Sequence, residues 1–202
     1  MILNHVWGIF THPDDEWQTI RSEPNTLGRH YLTHTLILAA IPAICAYIGT
    51  TQVGWTVGKA DTVYRLTTES ALMLCALFYG AMVVGVIILG KFIDFLSDTY
   101  QDSDTTPRGV ALATYTSTPL FICGLIALYP VLWLDMIIGL VAIAYSVYLL
   151  YEGVPILMSI PKDKGFVFAS AIVTVGLVMF VGLLAITVIV WAIGVGPVYI
   201  SI

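Results

Sequence analysis

Residues 168–193 have the sequence FASAIVTVGLVMFVGLLAITVIVWAI, 26 consecutive positions without a charged side chain. A helix needs about 20 apolar residues to cross the hydrocarbon core of a bilayer. Inside that core every backbone N–H and C=O group has to find its partner within the protein, and a single apolar segment achieves this only as a helix. The stretch therefore predicts a transmembrane helix, and it decides the class of fold.

Four further apolar stretches precede this one, at residues 31–50, 70–95, 110–128 and 131–151. Composition agrees, because 58% of the residues are hydrophobic, 10% are charged and the mean hydropathy is +0.92, whereas about a quarter of a soluble domain is charged. We therefore expect an all-α membrane protein with five transmembrane helices. The net charge of -5 includes no dense basic run, so no nucleic-acid partner is expected.

Three regions follow from these spans: a cytoplasmic interfacial segment at 1–30, a five-span domain at 31–193 and an extracytoplasmic tail at 194–202. Lys and Arg set the orientation, because they are retained in cytoplasmic loops. A cytoplasmic amino terminus places Arg21, Arg29, Lys91, Arg108, Lys162 and Lys164 inside and only Lys59 and Arg65 outside. We therefore expect a cytoplasmic amino terminus and a periplasmic carboxyl terminus.

The segment before the first span, NHVWGIFTHPDDEWQTIRSE at residues 4–23, mixes aromatic and charged residues around Pro13. This pattern predicts two short amphipathic helices with Trp7, Phe10 and Trp17 at the level of the lipid headgroups. The loop TQVGWTVGKADTVYRLTTE at residues 51–69 alternates apolar and polar residues around a GKAD turn. It predicts a small extracytoplasmic β-hairpin.

Polar residues inside the spans are the candidate functional residues. Asp135 lies within span four, where a carboxylate is costly unless it faces water, the bundle or a partner. It acts either as a proton or cation relay or as a hydrated group near the interface. The candidate polar path combines it with Thr114, Ser117, Thr118, Tyr145 and Tyr148. The alternative is that these hydroxyl groups serve helix packing.

Span two carries two pairs of small residues, Ala76/Gly80 and Ala81/Gly85, each at a spacing of four. Such pairs permit close helix approach or dimerisation. A homo-oligomer is therefore one of the expected partnerships, beside the lipid bilayer and a separate protein partner.

The string HPDDE at residues 12–16 resembles the zinc motif of the LmbE-like sugar deacetylases, although the soluble α/β context of that family is absent. His12 and Asp15 together with His30 and His34 form the hypothetical ligand set for a zinc-dependent hydrolase at the cytoplasmic interface. In the other interpretation, His34 hydrogen-bonds between helices. We expect no cofactor and no metal.

A second resemblance covers almost the whole chain. IFTHPDDEWQTIRSE at residues 9–23 and YLLYEGVPILMSIPKDKG at residues 148–165 resemble the amphipathic entry and the fourth-span exit of bacterial members of the Ypt-interacting protein (Yip) family. The resemblance implies a five-helix fold in the bacterial inner membrane. Within its YxxYxGxP-like segment, Gly153 and Pro155 would end the fourth helix. Eukaryotic relatives contact Rab-type GTPases, a partner that bacterial cells lack.

These observations favour a non-enzymatic protein that organises the membrane or binds a partner through its amino-terminal segment and cytoplasmic loops. The alternative is a transporter or channel that carries a small solute or ion past Asp135 and the hydroxyl groups of spans three and four. It predicts a water-filled cleft between those two spans. The zinc-dependent hydrolase is the third hypothesis.

Overall fold

The computed structural model describes residues 2–22, 28–56, 62–100 and 108–201. The described part is mostly helical. Its α-helices are α1 Ile2–Thr11, α2 Pro13–Ser22, α3 Gly28–Ile48, α4 Thr68–Tyr100, α5 Gly109–Thr116, α6 Thr118–Cys123, α7 Leu132–Leu157 and α8 Lys162–Ala192. A π-helical turn at Gly49–Val53 extends α3, and a 3-10 helix at Gly124–Leu128 follows α6.

Five helical segments of the described chain are long and apolar enough to cross a membrane: Tyr31–Val53, Thr68–Thr99, Gly109–Leu128, Leu132–Leu157 and Asp163–Ala192. Each overlaps one predicted span, so the predicted fold class is confirmed. The fifth begins before the predicted residue 168, because a helix continues past its apolar stretch into the aqueous boundary. Large apolar side chains on α4 and α8 are exposed in the isolated chain, as expected for surfaces that face lipid.

The third span is interrupted just before Pro119. α5 ends at Thr116 and α6 begins at Thr118, with Pro119 in the first turn of the new helix. Pro lacks a backbone N–H, so a break just before it loses little hydrogen bonding. The Ser117 hydroxyl donates to the Ala113 carbonyl at 2.7 Å, which satisfies one carbonyl next to the break.

Small residues bring the central helices close together. A Cβ added to Gly109 would collide with the Gly90 carbonyl, so α5 touches the backbone of α4. A Cβ at Gly124 would lie 2.7 Å from Pro42 Cα, which places the end of the third span against the proline of α3. Glycine permits such close backbone approach in membrane helices. The third span is therefore the centre of the bundle.

The predicted β-hairpin is confirmed, and the tail extends it. β1 Trp55–Thr56 pairs antiparallel with β2 Val63–Leu66, and β2 pairs antiparallel with β3 Tyr199–Ser201. The GKAD turn at 58–61 lies outside the described residues. Because β3 belongs to the tail, the carboxyl terminus lies at the same end of the bundle as the loop after α3. We call this the sheet end.

Helices α1 and α2 lie at the other end. They pack against α7 near its carboxyl end, where the chain turns at residues 158–161 into α8. α7 continues through Gly153 and Pro155 to Leu157, so the expectation that these two residues end the helix is wrong. Pro155 removes one hydrogen bond close to the helix end, where the interruption is tolerated, and Gly153 has a packing role.

Candidate functional site

α1 and α2 form a docked helix pair. A backbone hydrogen bond from Glu16 N to His12 O, 3.0 Å long, joins the two helices at their junction. The His5 ring and the Glu16 carboxylate, 2.5 Å apart, connect them along their length. An added Cβ at Gly8 would collide with the Glu16 carboxylate, so glycine provides the space for this contact. The predicted pair of short helices is therefore a single packed unit.

Trp17 docks this helix pair onto the bundle. Its side chain has 0% exposure, and the site of a Cβ at Gly153 would lie only 2.8 Å from ring atoms Cε2 and Cζ2. The ring is therefore enclosed by protein, where the sequence placed it among lipid headgroups. The reason is the face it occupies: Ile20, one turn further along α2, is also fully buried. An amphipathic helix buries that face against protein as readily as against lipid.

Tyr115 is the centre of the buried contact surface, a packing role that the sequence did not indicate. Four rings from three other helices approach it edge-on, at centroid distances of 4.9 to 6.3 Å: His5, Trp17, Tyr31 and His34. Edge-to-face packing of this kind contributes about 0.5–1.5 kcal/mol per pair. The available sequence signal was a tyrosine within the hydroxyl-rich run before Pro119.

A second anchor holds α1 to α7. The Tyr145 hydroxyl donates to the Ile9 carbonyl at 2.9 Å, and Phe10 stacks on the Tyr145 ring with centroids 5.4 Å apart. Tyr145 lies about three turns, ~18 Å, before the end of α7 at the rise of an α-helix. α1 therefore lies alongside the fourth span and contacts it well before the end of α7. Trp7 is 73% exposed beside this contact. A headgroup position for Trp7 and Phe10 stays a prediction.

The residues of the candidate polar path lie on different faces. The Thr114 hydroxyl shares a 3.0 Å hydrogen bond with Thr35, and Thr118 one of 3.2 Å with His34, so both face α3. Ser117 bonds within its own helix. Tyr148 is exposed. Thr114 and Thr118 thus join helices, as the packing interpretation expects.

Asp135 lies near the sheet end of α7, in its first turn. Its Oδ1 atom is buried and has no hydrogen-bond partner among the described residues. The side chain as a whole is partly exposed one turn into the helix, so the hydrated interpretation and the relay interpretation both stay predictions. Among the described residues, no hydrogen bond links Asp135 to Thr114, Thr118 or Tyr145, and the path stays a prediction.

The hypothetical zinc ligands are also separated. His12 is exposed at the junction of α1 and α2, whereas His34 is buried with its Nε2 atom against Thr118. The side chain of His30 lies outside the described residues. Over ranges 2–22, 28–56, 62–100 and 108–201, no three His, Cys, Asp or Glu side chains are grouped as metal ligands would be.

Two open grooves flank the helix pair. The inner groove, about 660 Å³, separates α2 from the turn between α7 and α8. The outer groove, about 540 Å³, lies between α1 and α2 and includes the carboxylates of Asp15 and Glu16. The inner groove is lined by Gln18, Arg21, Pro155, Ile156, Ser159, Ile160 and Pro161. The outer groove is lined by Trp7, Gly8, Thr11, His12, Asp15, Glu16 and Thr19.

Comparison with known proteins extends over nearly the whole chain. The Yip1 domain family matches residues 7–183, which include most of the helix pair and reach into the fifth span. Two relatives are each 44% identical over 192 residues, covering 95% of this chain and 98% of the relative. They are the inner membrane proteins YohC of Escherichia coli strain K12 and of Escherichia coli O6:H1. No solved structure matches the chain.

Proposed function

The chain belongs to the Yip1 domain family, and from this premise we propose that it is a non-enzymatic protein of the bacterial inner membrane that binds a protein partner through its helix pair. The observation that carries the proposal is the docking of that pair. Trp17 and Ile20 hold one face of α2 against the bundle, so the opposite face, with Asp15 and Thr19, is presented outward. A surface held in one geometry binds with a smaller loss of conformational entropy.

The outer groove supports a partner with a cationic segment. Its acidic groups are Asp15 and Glu16, of which Glu16 also contacts the His5 ring, and Trp7 forms an exposed aromatic rim beside them. Carboxylates attract Lys and Arg side chains, and exposed aromatic residues are common energetic centres of interfaces. The groove therefore suits a basic, partly apolar segment of another protein that approaches the membrane surface.

Separation of the polar residues favours binding over transport. A solute path requires Asp135 and the hydroxyl groups of spans three and four to line one channel. Thr114 and Thr118 instead bond to α3, while Tyr145 bonds to α1. These groups are occupied in holding helices together, which supports a scaffold whose working surface is outside the bundle.

We place the helix pair in the cytoplasm, because Arg21, Arg108 and Lys164 lie at its end of the bundle and cytoplasmic loops retain such residues. Carboxyl-terminal fusions test this orientation. Alkaline phosphatase fused after residue 202 should be active, and a green fluorescent protein in the same place should be dark. The reverse pattern would place the helix pair in the periplasm.

Photocrosslinking in native membranes tests the binding function. A photoreactive amino acid at Thr19, exposed in the outer groove, should give a discrete adduct with a protein other than this chain. The control probe replaces Trp133, which is 65% exposed near the sheet end, and should not give that adduct. Lipid adducts or self-adducts alone at Thr19 would refute the proposal.

A charge variant then tests the groove itself. Asp15→Asn removes one carboxylate of the outer groove and should lower the yield of the Thr19 adduct. Asp163→Asn removes an exposed carboxylate from the first turn of α8, at the same end of the bundle but outside the groove. It should leave the yield unchanged. Equal effects of both variants would contradict a specific acidic site.

A further inference from the structure

The inner groove lies where two membrane spans meet the aqueous phase. The fourth span ends at Leu157 and the fifth begins at Asp163, so the turn of residues 158–161 is at the boundary of the membrane. α2 covers this turn from one side and leaves an open volume of about 660 Å³. Small-molecule sites have volumes of ~300–1,000 Å³. The groove is therefore large enough for a lipid headgroup at the depth where headgroups lie.

Its lining combines an apolar floor with hydrogen-bond donors. Pro155, Ile156, Ile160 and Pro161 supply the apolar surface. The polar lining consists of the Gln18 amide, the Arg21 guanidinium and the Ser159 hydroxyl. Arg21 is the charged member of this lining. An apolar surface beside a guanidinium group is the chemistry expected for a ligand with an anionic head and acyl chains.

The main chain of Arg21 is bound by a second arginine. The Nη1 atom of Arg108 donates to the Arg21 main-chain carbonyl at 2.6 Å, which brings the two arginines together at the end of α2. Neither side chain forms an ion pair with a carboxylate among the described residues. Over the described residues, the end of α2 therefore carries positive charge that no carboxylate pairs, and this favours an anionic ligand.

We propose that this inner groove binds the phosphate group of an anionic phospholipid, with Arg21 as the principal contact. The planar guanidinium matches two phosphate oxygens at once, and Gln18 and Ser159 add neutral donors. Acyl chains of the lipid continue along the apolar surface of Ile156 into the membrane. The site is separate from the acidic outer groove and uses charge of the opposite sign.

Lipid retention tests this site in the full chain. The protein is placed in mixed vesicles of phosphatidylglycerol and phosphatidylcholine, extracted, and analysed by native mass spectrometry for bound lipid. Phosphatidylglycerol should be enriched over phosphatidylcholine, and Arg21→Gln should weaken its binding about tenfold, the usual effect of one charge-assisted hydrogen bond. Arg21→Lys keeps the charge without the bidentate geometry and should fall between the two.

The matched control is Lys164→Gln, which removes one exposed positive charge at the same end of the bundle but outside the groove lining. It should retain the lipid as the unaltered chain does. Equal losses in both variants would assign the enrichment to general surface charge and overturn the site. A melting temperature of Arg21→Gln in pure phosphatidylcholine equal to that of the unaltered chain shows that folding is intact.

Free phosphate is the competing source of the same chemistry. A large molar excess of inorganic phosphate or glycerol phosphate should leave bound phosphatidylglycerol in place, because those ions lack acyl chains. Displacement of the lipid by either ion would overturn the lipid assignment. Equal binding of phosphatidylglycerol and phosphatidylcholine would overturn the anionic specificity. None of these results depends on a protein partner at the outer groove.

Discussion

Gly153→Ala is the sharpest perturbation of the helix pair, because a single methyl group is placed between α7 and α2. The new Cβ would lie 2.7 Å from Leu112 Cδ1 and 2.8 Å from two ring atoms of Trp17. Real Cβ atoms do not approach other carbon atoms so closely, so a neighbour has to move. Gly139→Ala on the same helix is the control, because its Cβ meets nothing within 4 Å.

The expected magnitude follows from two opposing contributions. Replacing Gly by Ala inside a helix stabilises it by about 1 kcal/mol, and this gain applies to both variants. Overpacking by a methyl group costs about 1–3 kcal/mol, and this cost applies to Gly153→Ala alone. The free energy that holds α2 on the bundle should therefore be roughly 1–3 kcal/mol lower in Gly153→Ala than in Gly139→Ala.

Hydrogen exchange in lipid nanodiscs measures that difference directly. The amides of residues 13–22 should exchange roughly 5 to 150 times faster in Gly153→Ala than in Gly139→Ala, which corresponds to the penalty of about 1–3 kcal/mol. Peptides from α4, away from the contact, should exchange alike in both variants. Equal exchange of residues 13–22 in the two proteins would refute tight packing of Trp17 on α7.

Three further substitutions test separate contacts by thermal unfolding in detergent. Tyr145→Phe removes the hydrogen bond to the Ile9 carbonyl and should lower the free energy of unfolding by about 1 kcal/mol. An unchanged melting temperature would contradict the role of this hydrogen bond in holding α1 to α7. Ser159 has φ 57°, a left-handed conformation, so Ser159→Gly should stabilise the turn by about 1 kcal/mol while Ser159→Ala should not. Gly109→Ala places a Cβ against the backbone of α4 and should destabilise the protein by about 1–3 kcal/mol. Gly85→Ala places its Cβ in open space and should not destabilise the protein. Similar melting temperatures of the two variants would exclude the close approach of α5 to α4.

The spans were predictable because lipid imposes a length and a composition on them. Residues 31–50 and 110–128 lie within the observed spans, and the interruption before Pro119 follows from the chemistry of proline. The antiparallel pairing of β1 and β2 was readable from local alternation. The third strand was not, because Tyr199–Ser201 is short and its partner is more than 130 residues away in sequence. Local patterns do not record such distant pairings.

The contacts of individual side chains were less predictable, because a membrane helix is apolar on every side. The periodicity of apolar residues then does not show which face of a helix contacts its neighbours. From the sequence, Thr114 could therefore have lined a channel or contacted α3. Trp17 presented the same ambiguity, since an interfacial helix buries its aromatic face in either lipid or protein. Gly153 was interpreted as a helix end because Pro155 follows it closely. Only the position of α2 shows that the glycine makes room for an indole ring.

Docking of the helix pair constrains how a partner can act. Ile9 and Ile20 are fully buried, and burial of a side chain of this size stabilises by about 1.5–3 kcal/mol relative to water. Trp17 adds a larger apolar area. A partner that required α2 to detach would have to offset all of this through stronger binding to the detached state. A partner that binds the outward face, around Asp15, needs no such rearrangement, so that face is the surface through which binding is favoured.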